Sequence, residues 1–132
     1  MRFAVDRLDH LVMTVKDVEI SAAWYQRVLG MERADFGPNS RTSVRFGGQK
    51  INLRPVEATQ ADWFTGPSGA PGGQDLCFIV TTNAAQVIDH LHSCGVTIEV
   101  GPVSKEGALG AITSVYCRDP DGNLIEIASY GD

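Results

Sequence analysis

One spacing recurs in this chain and limits what it can fold into more than any other feature. The runs Asp9-His10-Leu11-Val12-Met13-Thr14-Val15 and Gln74-Asp75-Leu76-Cys77-Phe78-Ile79-Val80 both read as short strands, and they align with His10 on Asp75, 65 positions apart. Each run leads into a segment with apolar residues at helical spacing. The first begins near Asp17 and includes Ile20, Ala23, Trp24 and Val28; the second begins near Asn83 and includes Val87, Ile88, Leu91 and Cys94. Asp17 and Asn83 are good N-cap residues, because their side chains can accept an otherwise unpaired amide proton of the first turn. Gln86 stands where a capping-box side chain would reach back to Asn83. Each helix should stop at a glycine suited to a left-handed turn, Gly30 and then Gly95, again 65 apart.

Three strands should follow each helix: residues 31–36, 42–46 and 50–54, then 97–100, 112–117 and 124–128. Thr42-Ser43-Val44 matches Thr113-Ser114-Val115, and Ile51-Asn52-Leu53 matches Ile125-Glu126-Ile127. Gly47-Gly48 and Asp121-Gly122 are turn signals between the last two strands of each half. The chain therefore predicts an α+β fold of two βαβββ modules, about 6–56 and 74–130, in a single domain spanning 1–132. The strands are expected to curl into an open, barrel-like mixed sheet around a central cavity, with first and last strands facing each other across it. Residues 57–73 join the modules as a linker or flap rich in glycine. Its Trp63 and Phe64 either cover a cavity mouth or pin the loop to the core.

Composition narrows the function classes. The 132 residues carry a formal charge of −5 with scattered basic residues, which argues against nucleic acid as a partner. No apolar run approaches the roughly 20 residues that span a bilayer, and the first residues do not read as a secretory peptide, so no membrane partner is expected. Three distant cysteines, Cys77, Cys94 and Cys117, do not make a disulfide framework. They read as small core residues in a reducing, cytoplasmic setting.

The chemistry concentrates on strand faces. Side chains alternate along a strand, so His10, Val12 and Thr14 share one face, and Leu124, Glu126 and Ala128 share another. The repeat pairs His10 with Asp75, and Asn52 with Glu126. A histidine and a glutamate on otherwise apolar strands suggest a divalent metal, either zinc, nickel, iron or manganese, because imidazole nitrogen and carboxylate oxygen suit such ions. His10, Asp75 and Glu126 are the candidate ligands, Glu126 also the candidate catalytic group, and Asn52 a neutral, substrate-binding neighbour. Arg54, two residues on, is either a fork for a substrate anion or a solvated residue on an edge strand that ends at Pro55. Asp75 reads equally as a turn residue, His10 as a solvated strand start, and Glu126 as the polar side of an alternating strand. His90 and His92 read as surface residues. The loop 103–111 contains Gly107 and Gly110 and is expected to close over the site, bringing Lys105 to a substrate anion.

Residues 8–15, 24–31 (Trp-Tyr-Gln-Arg-Val-Leu-Gly-Met) and 119–126 (Asp-Pro-Asp-Gly-Asn-Leu-Ile-Glu) resemble the vicinal oxygen chelate superfamily, which includes glyoxalase I, extradiol dioxygenases and bleomycin- and fosfomycin-resistance proteins. Residues 101–116 are similar, more narrowly, to glyoxalase domain-containing protein 5 and bacterial relatives, some named virulence proteins. The resemblance implies a metal that chelates adjacent substrate oxygens as a Lewis acid. It places His10 and Glu126 at ligand positions and implies a homodimer, sometimes with exchanged modules. Glyoxalase I carries a glutamate where this chain has Asn52; many relatives have a histidine at Asp75, and the narrower group often has one at Arg54. The expected function is a glyoxalase-like, lyase- or isomerase-type metalloenzyme for a small substrate with adjacent oxygens. The alternatives are a metal-free binding or resistance module and an extradiol-type dioxygenase.

Overall fold

The computed structural model describes residues 1–67 and 69–131; Ser68, within the expected linker, and Asp132 lie outside the described residues. The chain forms two compact units, 1–68 and 69–132. The segment expected to join them is thus shared, residues 57–67 going with the first unit.

Both units have the same plan. The first contains β1 (His10–Val15), α1 (Val18–Leu29), β2 (Glu32–Phe36), β3 (Arg41–Phe46) and β4 (Gln49–Pro55). The second contains β5 (Asp75–Ile79), α2 (Ala84–Ser93), β6 (Val100–Gly107), β7 (Gly110–Arg118) and β8 (Leu124–Ser129). Each sheet is mixed and open, ordered β1-β4-β3-β2 and β5-β8-β7-β6. The two βαβββ modules predicted by the repeat are therefore present.

The helix ends form for the expected local reasons. Asp17 Oδ1 accepts from the Ile20 amide at 3.0 Å, and Asn83 Oδ1 accepts from the Gln86 amide at 2.9 Å. Gly30 and Gly95 both take left-handed backbone, φ 65° and 73°. Gly30 caps α1 directly, whereas α2 is capped by Cys94, one residue before its glycine. Helix α1 buries Ser21, Ala22, Trp24, Tyr25 and Val28. The Tyr25 hydroxyl donates to Met13 Sδ at 3.7 Å, which joins the helix to the inner side of β1. Ile20, part of the apolar series in the sequence, instead points to solvent.

Several expectations are corrected. First and last strands of a module do not face each other: β1 pairs with β4, and β5 with β8, as parallel neighbours within one sheet. β4 is an inner strand, so Arg54 is not an edge residue; Pro55 is tolerated because it closes the strand where β1 also ends. The segment 97–100 lies almost wholly before β6. The expected mobile loop 103–111 is instead a ladder-bonded hairpin of β6 and β7 around Ala108-Leu109, with the Leu109 amide donating to the Tyr130 hydroxyl at 3.0 Å. Finally, Asn52 pairs with Ser43 while Glu126 pairs with Tyr116, so the match of Ser43 to Ser114 is two residues out of structural register. A shift of two keeps every side chain on its own face, which is why alternation does not reveal it.

Candidate functional site

In the second module β5, β8 and β7 lie side by side. Cys77 and Tyr116 flank Glu126 in the register, Cys77 through the parallel pairing and Tyr116 through the antiparallel one. Asp75 stands two residues before Cys77, on the same face, and Ser114 two before Tyr116. The opposite face carries Val115, Cys117, Ile125 and Ile127, all buried. Alternation thus divides the sheet into an apolar side and a polar side.

Glu126 is the hub of the polar side. Ser114, fully buried, donates its hydroxyl to Glu126 Oε2 at 2.5 Å. Loss of hydration, then a hydrogen bond to Glu126, raises the Tyr116 phenol above its ordinary range. Partial desolvation, followed by the charge of Glu126, pushes the Cys77 thiol up to about 11, and Asp75 adds to the effect. Three weakly acidic groups therefore converge on one carboxylate. Lys105 joins them from β6, its ammonium 5.9 Å from the centre of the Tyr116 ring. It arrives there as a strand residue opposite Ile112 and not by loop closure.

The sequence reading had Asp75, Glu126 and Lys105 but missed Ser114, Tyr116 and Cys77. Cys77 had been read as core and is in fact exposed; of the three cysteines, only Cys117 is buried. The signal for Cys77 was its place two residues after Asp75. The signal for Tyr116 required the pairing of β7 with β8.

In the first module His10, Asn52 and Arg54 share one face of β1 and β4. His10 is exposed, and its Nδ1 lies 2.8 Å from Asp9 Oδ2. That hydrogen bond is the main cause holding the Asp9 carboxyl below its usual range. A carboxylate can only accept, so Nδ1 carries the proton in this hydrogen bond. Asn52 is 5% exposed, and its Oδ1 is a buried oxygen without a hydrogen-bond partner among the described residues. It is an acceptor available to a ligand hydroxyl or amide. Arg54, 4% exposed, donates from Nη2 to the carbonyl of Ala58 at 3.0 Å and from Nε to that of Trp63 at 3.2 Å. It is therefore not solvated, and part of its fork already holds the segment after β4.

The donor sets do not by themselves make a metal centre. The first module offers His10 beside a neutral Asn52. The second offers the carboxylates of Asp75 and Glu126, with a Cys77 thiol that keeps its proton at neutral pH. Among the described residues, no three His, Cys, Asp or Glu side chains gather closely enough to hold a metal ion.

Comparison with known proteins places this geometry in context. The model of the Glyoxalase/Bleomycin resistance protein/Dioxygenase superfamily matches residues 7–127. The chain is 43% identical over 130 residues to "Virulence protein STM3117" of Salmonella typhimurium, covering 98% of this chain and 88% of that protein. An integron cassette protein from the mobile metagenome of V. cholerae superposes with a TM-score of 0.93 at 43% identity, over 99% of this chain and all of the other. A lactoylglutathione lyase of Salmonella typhimurium is 29% identical over 132 residues, spanning 96% of this chain and 94% of that protein.

Proposed function

Because the chain belongs to the Glyoxalase/Bleomycin resistance protein/Dioxygenase superfamily, we propose that it is a glyoxalase-like enzyme of lyase or isomerase type. It acts on a small substrate with adjacent oxygens at the polar face of the second module. The observation that carries this reading is the convergence of Ser114, Tyr116 and Cys77 on Glu126. Glu126 takes a proton from a hydroxyl-bearing carbon next to a carbonyl and returns it to the former carbonyl carbon, while the hydroxyl proton passes to the carbonyl oxygen, so that the two groups exchange places. As the carbon–hydrogen electron pair moves toward the carbonyl, its oxygen gains negative charge. Lys105 supplies a cation on the same face to meet that charge. On the polar face of the first module, Asn52, with its unpartnered Oδ1, and Arg54 are proposed as residues that bind a polar group of a substrate. The 29% identical lactoylglutathione lyase makes the hemithioacetal of methylglyoxal and glutathione the first substrate to test.

Family members often use a divalent metal; His10 in the first module, and Asp75 and Glu126 in the second, are the residues whose donor atoms suit one. Since neither module alone supplies three donors, the proton transfer proposed here runs through Glu126 with no metal step. The same shortage favours a second reading, a metal-free binding module that holds its ligand without chemistry. A dioxygenase reading has no comparable support, because neither module holds the pair of histidines and one carboxylate typical of such iron sites.

The deciding experiment follows S-lactoylglutathione formation from methylglyoxal and glutathione. It compares the wild type and Glu126→Gln, after chelator dialysis and after addition of zinc, nickel, iron or manganese. Turnover in the dialysed wild type, lost by about 10²-fold or more in Glu126→Gln, supports the enzyme reading. Binding of S-lactoylglutathione without turnover supports the binding module. Turnover that appears only with metal and vanishes in both His10→Ala and Glu126→Ala would replace the metal-free step with a metal centre.

A further inference from the structure

The first module contains a cavity at the end of its sheet, where β4 runs into the segment that follows it and β3 begins. Its volume is about 540 Å³, within the range of small-molecule sites. Val18, Leu53, Pro55 and Trp63 form apolar wall, and Arg41 and Thr42 add polar groups. Leu53 and Thr42 pair across β4 and β3 on the face opposite Asn52, whereas Arg41, two residues before Ser43, alternates to the Asn52 face, so the cavity spans the strand ends.

The outer wall is built from the segment after β4. The Trp63 amide donates to the Thr59 carbonyl at 2.8 Å, the Asp62 amide to Thr59 Oγ1 at 3.1 Å, and the Thr65 amide to Gln60 Oε1 at 3.0 Å. Arg54, buried beneath, grips the carbonyls of Ala58 and Trp63. Trp63 is 7% exposed while the neighbouring Phe64 is 88% exposed. Trp63 is thus buried against the module, whereas Phe64 is exposed and lines a separate open pocket with Gln60, Thr65 and Pro67.

Arg41 sets the chemistry. Its guanidinium carbon lies 4.2 Å from the centre of the Trp63 ring, and Nη2 donates to the Asp62 carbonyl at 2.9 Å. The guanidinium makes no other hydrogen bond, ion pair or ring contact among the described residues. Asp62 lines the same cavity but offers Arg41 its main-chain oxygen. Glu19, in the first turn of α1, is committed to Arg33 at 2.6 Å. A half-buried guanidinium with fork edges unused favours a carboxylate partner. Val18, the first residue of α1, brings the positive end of the helix dipole to the same cavity.

We propose that this cavity is an accessory binding site for a small organic carboxylate. The acid group sits on Arg41, and a compact apolar body lies against Val18, Leu53, Pro55 and Trp63. The site lies wholly within the first module and does not depend on the chemistry assigned to Glu126.

The test is a titration of the full-length ¹⁵N-labelled chain with phenylacetate and hexanoate, each beside its neutral counterpart, 2-phenylethanol or hexanol, followed by NMR. At least one acid should shift the Trp63 indole and Arg41 Nε–H signals and saturate with a Kd of about 1 mM or below. The alcohols should bind at least tenfold more weakly. Arg41→Gln should weaken the acid at least tenfold, and Ala58→Phe, which adds bulk to the cavity wall, should abolish binding. If Arg41→Gln does not fold, the acid–alcohol comparison and Ala58→Phe decide. No saturation by either acid, equal binding of acid and alcohol, or undiminished binding to Ala58→Phe would overturn the proposal.

Discussion

Glu126 and Cys77 are cross-strand neighbours, so each is a probe of the other. Desolvation and then the Glu126 charge push the Cys77 thiol up to about 11, which leaves it almost wholly protonated at neutral pH although it is exposed. Glu126→Gln removes the second of these causes and leaves the first. The thiol should therefore titrate lower, and its alkylation by iodoacetamide at mildly alkaline pH should speed up several-fold relative to the wild type. A peptide-mapped rate for Cys77 that does not change would show that the carboxylate does not reach the thiol. His10, Asp75 and Glu126 stand out in the sequence because polar side chains there interrupt apolar strands. Ser114 and Tyr116 do not, since hydroxyl residues in a strand carry no such contrast until a pairing partner gives them a role.

At the scale of elements, the segment Asp119–Asn123 sets how β5 lies on β8. Asn123 is fully buried; its Nδ2 donates to Asp119 Oδ2 at 2.8 Å, and its Oδ1 accepts the Gln74 amide at 2.8 Å. Asp119 Oδ1 in turn accepts the amides of Asp121 and Asn123, both at 2.9 Å. Gln74 immediately precedes β5, and its carbonyl accepts the Leu124 amide at 2.9 Å. This clamp fixes the register that places Cys77 opposite Glu126. Asn123→Ala leaves buried partners unsatisfied and should cost about 2–4 kcal/mol of stability in urea unfolding. Loss of the Cys77–Glu126 coupling in the folded variant should accompany it. A variant as stable as the wild type would show that the β5–β8 ladder holds its register alone. The motif was conspicuous in the sequence as a turn signal, but its reach to Gln74 was not, because the partners lie 49 positions apart.

At the scale of the whole molecule, alkaline stability offers a test of the core. Burial, then the charges of Asp119 and Glu99, pushes the fully buried Cys117 thiol up from an ordinary 9.0 to about 11. Below about pH 9 both folded and unfolded chains keep this proton. Above it the unfolded chain releases the proton first, so stability should fall as pH rises from 9 to 11, by about 2–3 kcal/mol from this group. Cys117→Ala should be less stable throughout but show a shallower decline over that range, which denaturation at stepped pH values measures. An equally steep decline would assign the effect to other groups. Two βαβββ modules, capped helices and most strand positions were determined by the sequence alone, because periodicity, N-caps and left-handed glycines act over a few residues. The tertiary structure decided that first and last strands are neighbours, that Arg54 lies buried on an inner strand, that residues 103–111 form a hairpin, and that Tyr116 rather than Ser114 stands opposite Glu126. Those outcomes depend on ladder pairing between distant segments. Alternation has period two, so it assigns each side chain a face but gives neither its cross-strand partner nor its strand's place in the sheet.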